Sequence, residues 1–272
     1  MPVIATNTAA NSALIYLNKN SRMQDKSLAK LSSGSRIVRA SDDAAGLAVA
    51  SRLQANVTTL RQSATNGIQA RSLLQTADGA LARIGDILQR MKSLATQSNS
   101  GAVDATARGF INTEYQQLLA EITATVTATT FNGTALINGT FNQNFQVGIS
   151  ATSTIVTNLT TVNATTATLT VNGTSVTTAA LAVTASGAID TAINSISTSR
   201  ATVGAFLSRF EYRGDVVETQ TDNLDAARSA IMDVDLASEQ TNLTSYRVLT
   251  ESSIAALAQA NQMKSSLLSL VR

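Results

Sequence analysis

The sequence predicts a mainly α protein: a long antiparallel helical bundle or coiled coil built from both chain ends, with a small β-hairpin insertion in the middle. Three observations carry this. Two long segments keep apolar residues at heptad spacing, the only Pro is Pro2, and the stretch between the two segments is uncharged and rich in Thr. In the first segment Leu53, Leu60, Gly67, Leu74, Leu81, Leu88 and Ala95 recur every seven residues, and Ala70, Ala77, Ile84 and Met91 complete an a/d seam. In the second, Ile189, Ile196, Val203, Phe210, Val217, Leu224 and Ile231 repeat at the same interval. Seams this long need partner helices, and two of matched length in one chain can supply each other.

Without internal Pro, Gly and capping residues set the helix ends. Ser32-Ser33-Gly34-Ser35 stops a first helix near residues 5–32. Ser41-Asp42-Asp43 starts the long one, its carboxylates suited to the N-cap and to the positive helix end. Two adjacent carboxylates there read as capping groups before they read as a metal site. Asn99-Ser100-Gly101 ends the long helix, and a further helical stretch follows near 104–127. The last helix runs from about Asp235, with Ile254, Leu257, Leu268 and Val271 able to share a face that Asn261 and Lys264 interrupt. Alone it is marginal, so both chain ends are expected to stay disordered until something packs on them.

From Ile122 to Ile189 there is no Asp, Glu, Lys or Arg. Alternation such as Ala167-Thr168-Leu169-Thr170-Val171, with turn signals at Asn132-Gly133, Asn138-Gly139 and Asn172-Gly173, predicts about three hairpins. Asn-X-Ser/Thr occurs at Asn56, Asn132, Asn138, Asn158, Asn163, Asn172 and Asn242, a frequency that an Asn- and Thr-rich composition produces by itself.

Composition excludes most chemistry. The 272 residues include no Cys and no His, which removes thiol nucleophiles, Cys/His zinc sites and imidazole proton shuttles. Only 14% of residues are charged, no catalytic constellation is found, and no cofactor is implied. The isoelectric point of about 9.1 corresponds to a formal charge of just +2. With no Lys/Arg cluster, nucleic acid is not an expected partner. No stretch reads as long enough to span a bilayer, so a membrane is not expected either, and the N-terminus has no secretory-signal pattern. Any export would use a route other than the general secretory pathway.

Two segments carry a family resemblance. Leu31-Ser32-Ser33-Gly34-Ser35-Arg36-Ile37, followed by Ala40-Ser41-Asp42-Asp43-Ala44-Ala45-Gly46-Leu47-Ala48, resembles the signature of flagellin N-termini. Ala226-Ala227-Arg228-Ser229-Ala230-Ile231-Met232-Asp233-Val234-Asp235, Leu257-Ala258-Gln259-Ala260-Asn261-Gln262 and Ser269-Leu270-Val271-Arg272 resemble the C-terminal segments of the same family. A hook-filament junction protein shares helical ends of this type, but its C-terminus usually departs from the Leu257–Gln262 pattern. A receptor's helical hairpin would show heptads without explaining the Thr-rich middle.

The resemblance implies a non-enzymatic subunit, exported unfolded by the flagellar type III apparatus and polymerised for swimming motility. Its location would be the extracellular filament. It implies that residues 1–40 and 236–272 form an inner filament tube, that 41–135 and 186–235 form a helical shell, and that 136–185 face solvent. Implied partners are further copies of the chain, filament cap and hook-filament junction proteins, and an export chaperone. Packing and polymerisation fall to Leu53, Leu60, Leu74, Leu81, Leu88, Ile196, Val203, Phe210, Val217, Leu224, Ile231, Leu257, Leu268 and Val271. Leu88–Ser98 also resembles the segment read by a vertebrate Toll-like receptor, which would assign contacts to Arg90, Leu94, Gln97 and Glu114.

Overall fold

The chain was analysed as a computed structural model; the structure describes residues 6–270, with side chains described up to residue 266. Among these, α1 (Thr8–Ser33), α2 (Ala44–Asn99), α3 (Ala105–Ala128), α4 (Ala179–Met232) and α5 (Leu236–Leu270) account for most of the chain. Four short strands, β1 (Thr130–Phe131), β2 (Thr134–Ala135), β3 (Asn142–Gln146) and β4 (Thr154–Asn158), lie between α3 and α4. The protein is mainly α, as its periodicity requires.

Two compact units are present: one comprises residues up to 56 and from 223 onward, the other residues 57–222. Both boundaries fall inside long helices, α2 and α4.

The unit of residues 57–222 closes around the two heptad rows. Leu74, Ala77, Leu81, Ile84, Leu88 and Met91 of α2 share one core with Ile189, Ala192, Ile196, Val203 and Phe210 of α4. The helices run antiparallel. Arg200 Nε donates to Asp78 Oδ1 at 2.9 Å, while farther along α2 Lys92 pairs with Asp190, so α2 advances as α4 retreats. Between those pairs a Cβ at Gly85 would stand 3.9 Å from Ile196 Cγ2. The third helix returns along α2: Arg90 meets Glu114, and Arg108 Nε donates to the Ser98 carbonyl at 2.8 Å. Asp104 caps α3 by accepting from the Ala107 N–H at 2.7 Å. Each large aliphatic side chain enclosed here contributes roughly 1.5 to 3 kcal/mol.

The middle segment differs from the expectation of a solvent-facing region with three hairpins. Leu136, Ile137, Phe141, Val147, Ile155, Leu159, Val162, Leu169, Val171 and Val176 are buried in the same core as the helices. Ser63 Oγ donates to the Gly148 carbonyl at 3.2 Å, Arg213 Nε to the Val147 carbonyl at 3.0 Å, and Phe145 meets Phe210 edge to face with centroids 5.8 Å apart. The absence of charge across residues 122–189 reflects this burial.

Only one Asn-Gly site makes a hairpin. Asn132 and Gly133 take φ +50° and +78° between the paired β1 and β2, a two-residue turn with both centres left-handed. The second hairpin, β3 with β4, is closed by residues 147–153 and has no Asn-Gly at its tip. At Asn138-Gly139 the chain turns, but Asn138 bridges to Asn163 across a long excursion. At Asn172-Gly173 the flanking residues bond elsewhere. Thr174 Oγ1 lies 2.7 Å from the Tyr115 hydroxyl, and the Val176 N–H donates to Asn112 Oδ1 at 3.0 Å. An Asn-Gly pair licenses a turn; strands form only where the flanks can pair with each other.

An 18-residue window in α4, of mean hydropathy 1.2, is long and apolar enough to cross a membrane by length and composition, contrary to the sequence reading. Its heptad residues are already enclosed by protein, from Ala182 and Ile189 to Phe210. That covering explains the apolarity without a bilayer.

Phe210→Asp should therefore cost about 4 kcal/mol or more, because it places an unpaired charge against Phe145 and the seam. Thr166→Ala, at a half-buried side chain, should stay within about 0.5 kcal/mol. Thermal or denaturant unfolding of the two variants checks the difference.

Candidate assembly surfaces and connector

In the unit that joins the chain ends, α1 packs antiparallel on α5. Asn7 Nδ2 donates to the Ala260 carbonyl at 3.1 Å, Asn20 Nδ2 to Ser253 Oγ at 3.3 Å, and Lys30 lies 3.9 Å from Glu239. Asn7 also caps α1, accepting from the Ala10 N–H at 3.0 Å. The pair encloses little: Ser27, Glu239 and Ala260 are its buried side chains among the described residues of the two helices. Leu14, Ile15, Tyr16 and Leu28 of α1 and Val248, Leu249, Ile254 and Met263 of α5 remain exposed. Two helices meet along one stripe, so apolar residues away from that stripe stay in water.

Between α1 and α2 the connector is held by defined bonds. Gly34 ends α1 at φ +68°, a left-handed C-cap that an L side chain rarely adopts. The Arg36 N–H then donates to the Met232 carbonyl at 2.6 Å and the Val234 N–H to the Gly34 carbonyl at 3.2 Å. Ser35 and Asp233 thus form a short antiparallel bridge tying the two chain crossings together.

Both adjacent carboxylates act inside the connector. Asp43 Oδ1 accepts from the Gly46 N–H at 2.8 Å, capping α2, and Asp42 Oδ2 accepts from the Arg39 N–H at 3.1 Å. A Cβ at Gly46 would collide with the Asp43 carboxylate and stand 2.8 Å from Ile37 Cδ1, which is why glycine fits there. The Arg39 N–H, with Lys26 beside it, holds the Asp42 carboxyl below its ordinary value. A depressed carboxylate contributes stability above its unfolded value near 3.8 and loses it as pH falls through the folded value.

The residues assigned to packing divide by burial. Leu60, Leu74, Leu81, Leu88, Ile196, Val203, Phe210 and Val217 are buried. Leu53, Leu224, Ile231 and Leu257 are half-buried in the other unit. The side chain of Leu268, and Val271 altogether, lie outside the described residues. Exposed α1 and α5 side chains such as Ile15, Tyr16 and Val248 went unassigned in the sequence, where an apolar residue on an amphipathic helix reads as core.

On the α2–α3 face, Arg90 and Glu114 are exposed and paired, with Nε to Oε1 at 2.8 Å, and Gln97 is exposed. Leu94 is different. It is only 2% exposed, within the core beside Met91 and Ala95, so it cannot serve as the apolar anchor of a surface contact. That assignment is corrected: positions 91, 94 and 95 all turn inward at helical spacing. Exposed Phe110 on α3 is an apolar group that the face does present.

Residues 4–142 match the family model described as the bacterial flagellin N-terminal helical region, and residues 186–271 match the bacterial flagellin C-terminal helical region. The chain is 36% identical to a flagellin of Halalkalibacterium halodurans over 271 residues, covering 99% of this chain and 100% of that one. It is 36% identical to a flagellin of Bacillus subtilis, with 98% of each covered, and 35% identical to the flagellar filament 33 kDa core protein of Treponema phagedenis, with 99% and 100% covered. Among solved structures, Bacillus cereus flagellin superposes with a TM-score of 0.51 at 33% identity, covering 60% of this chain and 94% of that one.

Gly46→Ala should loosen the start of α2 by about 1 to 3 kcal/mol, since the new methyl displaces the Asp43 cap. Gly109→Ala, where a Cβ meets nothing within 4 Å, should be neutral or up to about 1 kcal/mol stabilising. Hydrogen exchange at the first turns of α2 and α3 measures both. In a pH titration the connector amides should hold steady from neutrality down to the carboxylate range and lose protection only below it, whereas in Asp42→Asn this acid step should shrink.

Proposed function

The chain belongs to the bacterial flagellin family of flagellar filament subunits, which are not enzymes, and from that premise we propose how it works. It leaves the cell unfolded through the flagellar type III apparatus, guided by an export chaperone, and adds to a growing extracellular filament that drives swimming. Its ends meet hook-filament junction and cap proteins at the two limits of the polymer. Residues 1–40 and 236–272 line an inner tube, and 41–135 with 186–235 form the shell around it.

One observation carries this reading. The α1–α5 pair leaves Leu14, Ile15, Tyr16, Val248, Leu249 and Ile254 exposed, an apolar surface that a second copy could cover. Coupling the ordering of these ends to assembly keeps the exported chain soluble until it reaches a filament. The absence of Cys agrees, because no disulfide obstructs passage of an extended chain. Purified chain added to filament seeds should elongate them in electron micrographs. A chain lacking residues 266–272 should not elongate them, while its unit of residues 57–222 keeps its thermal transition. Growth by the truncated chain would overturn the role of the ends.

The exposed Arg90–Glu114 pair, with Gln97 nearby, favours a second partner, the vertebrate Toll-like receptor for flagellin. A forked cation held by a carboxylate offers directional recognition to a partner surface. Monomer should activate that receptor, and Arg90→Ala monomer should do so about tenfold or more weakly. Equal activation by both would exclude this face.

A further inference from the structure

A groove of about 340 Å³ lies in the unit of residues 57–222, between α2 and α4. Its floor is Ala64, Gly67, Val147, Phe210 and Gly214, opened by two glycines at which a Cβ would meet nothing within 4 Å. Along its α4 wall stand Glu211, Asp215, Glu218 and Asp222. Their spacing of four, three and four residues places all four carboxylates on one stripe about 16 Å long at 1.5 Å per residue. All four are exposed, and none has a hydrogen-bond or ion-pair partner among the described residues. The α2 wall carries Arg61 and Arg71, and Arg213 is committed to the Val147 carbonyl. Arg61 is itself engaged, so the α4 stripe keeps its excess negative charge.

The same chain carries the complementary surface. Lys19, Arg22, Lys26 and Lys30 stand on one face of α1 at spacings of three, four and four, again about 16 Å from end to end. Arg39 adds to this ridge, while Asp25 and Asp42 only partly offset it. Lys26 reaches Asp42 at 3.4 Å and Lys30 reaches Glu239 at 3.9 Å, which leaves Lys19 and Arg22 to face outward.

We propose that the basic ridge of α1 in one copy docks along the acidic groove of a second copy. The proposal rests on the filament reading and deepens it by naming the two surfaces of one subunit contact. The match in charge and length selects this chain as the occupant. Two different surfaces on one chain make a heterologous contact, which repeats without closing and so extends a filament. Attraction between opposed rows also speeds productive encounter, an effect that salt screens.

Charge reversal tests it through seeded elongation by the full chain at low ionic strength. Asp215→Lys/Glu218→Lys should slow elongation about tenfold or more, and so should Lys19→Glu/Arg22→Glu, since each opposes like charges. A chain bearing all four changes should recover to within about threefold of the parent. All four side chains are exposed, and circular dichroism should show unchanged helix. Should a reversal unfold the chain, Asp215→Asn/Glu218→Gln replaces it and should still slow elongation severalfold. Either row variant elongating like the parent overturns the proposal. So does a combined chain no faster than the single-row variants, which would mean that the groove takes some other occupant. Failure of the parent chain to elongate at all would instead defeat the filament reading.

Discussion

Thin aliphatic side chains on long helices set the terms for this protein, because no single neighbour can cover them. With no Trp and few aromatics, the core is assembled from Leu, Ile, Val and Ala, each removing a modest area from water. A helix built this way needs contacts on more than one side before its apolar surface is enclosed. Between residues 57 and 222 those contacts come from three helices and an apolar intervening segment, and the heptad rows reach full burial. Between α1 and α5 there is one partner each, and large apolar residues stay exposed. The same composition therefore yields a closed core in one unit and an open, adhesive pair in the other.

The connector depends on backbone geometry more than on side-chain packing. Gly34 reverses the chain in a left-handed conformation, Gly46 leaves room for the Asp43 cap, and the Ser35–Asp233 bridge ties the outgoing chain to the returning one. Each of these is a local requirement with little tolerance for a larger residue. A subunit that passes force along a filament benefits from a joint defined by hydrogen bonds, since these set distance and direction together.

Surface charge has a different role from the core. Arg200–Asp78 and Arg90–Glu114 lie on exposed faces, where an ion pair contributes on the order of 1 kcal/mol or less. They help set the register between helices already committed by apolar burial. Unpaired charge has more consequence: carboxylates in a row on α4 and cations in a row on α1 produce fields that neighbouring copies can sense.

Periodicity, glycine placement and capping residues were enough to locate all five helices, because those signals act within a few residues of the positions they govern. The heptad rows likewise identified Leu74, Leu81, Leu88, Ile196, Val203 and Phe210 as buried before any coordinates. The sequence could not place the middle segment. Alternation and three Asn-Gly pairs describe what a stretch can do locally, whereas pairing with Asn112, Tyr115 and Ser63 is settled by helices more than 60 residues away, or 80 in the last case. Nor could it say that Leu94 turns inward while Ile15 turns outward, since both occupy apolar positions on amphipathic helices. Which apolar face is covered depends on how many neighbours arrive, and only the tertiary arrangement supplies that number.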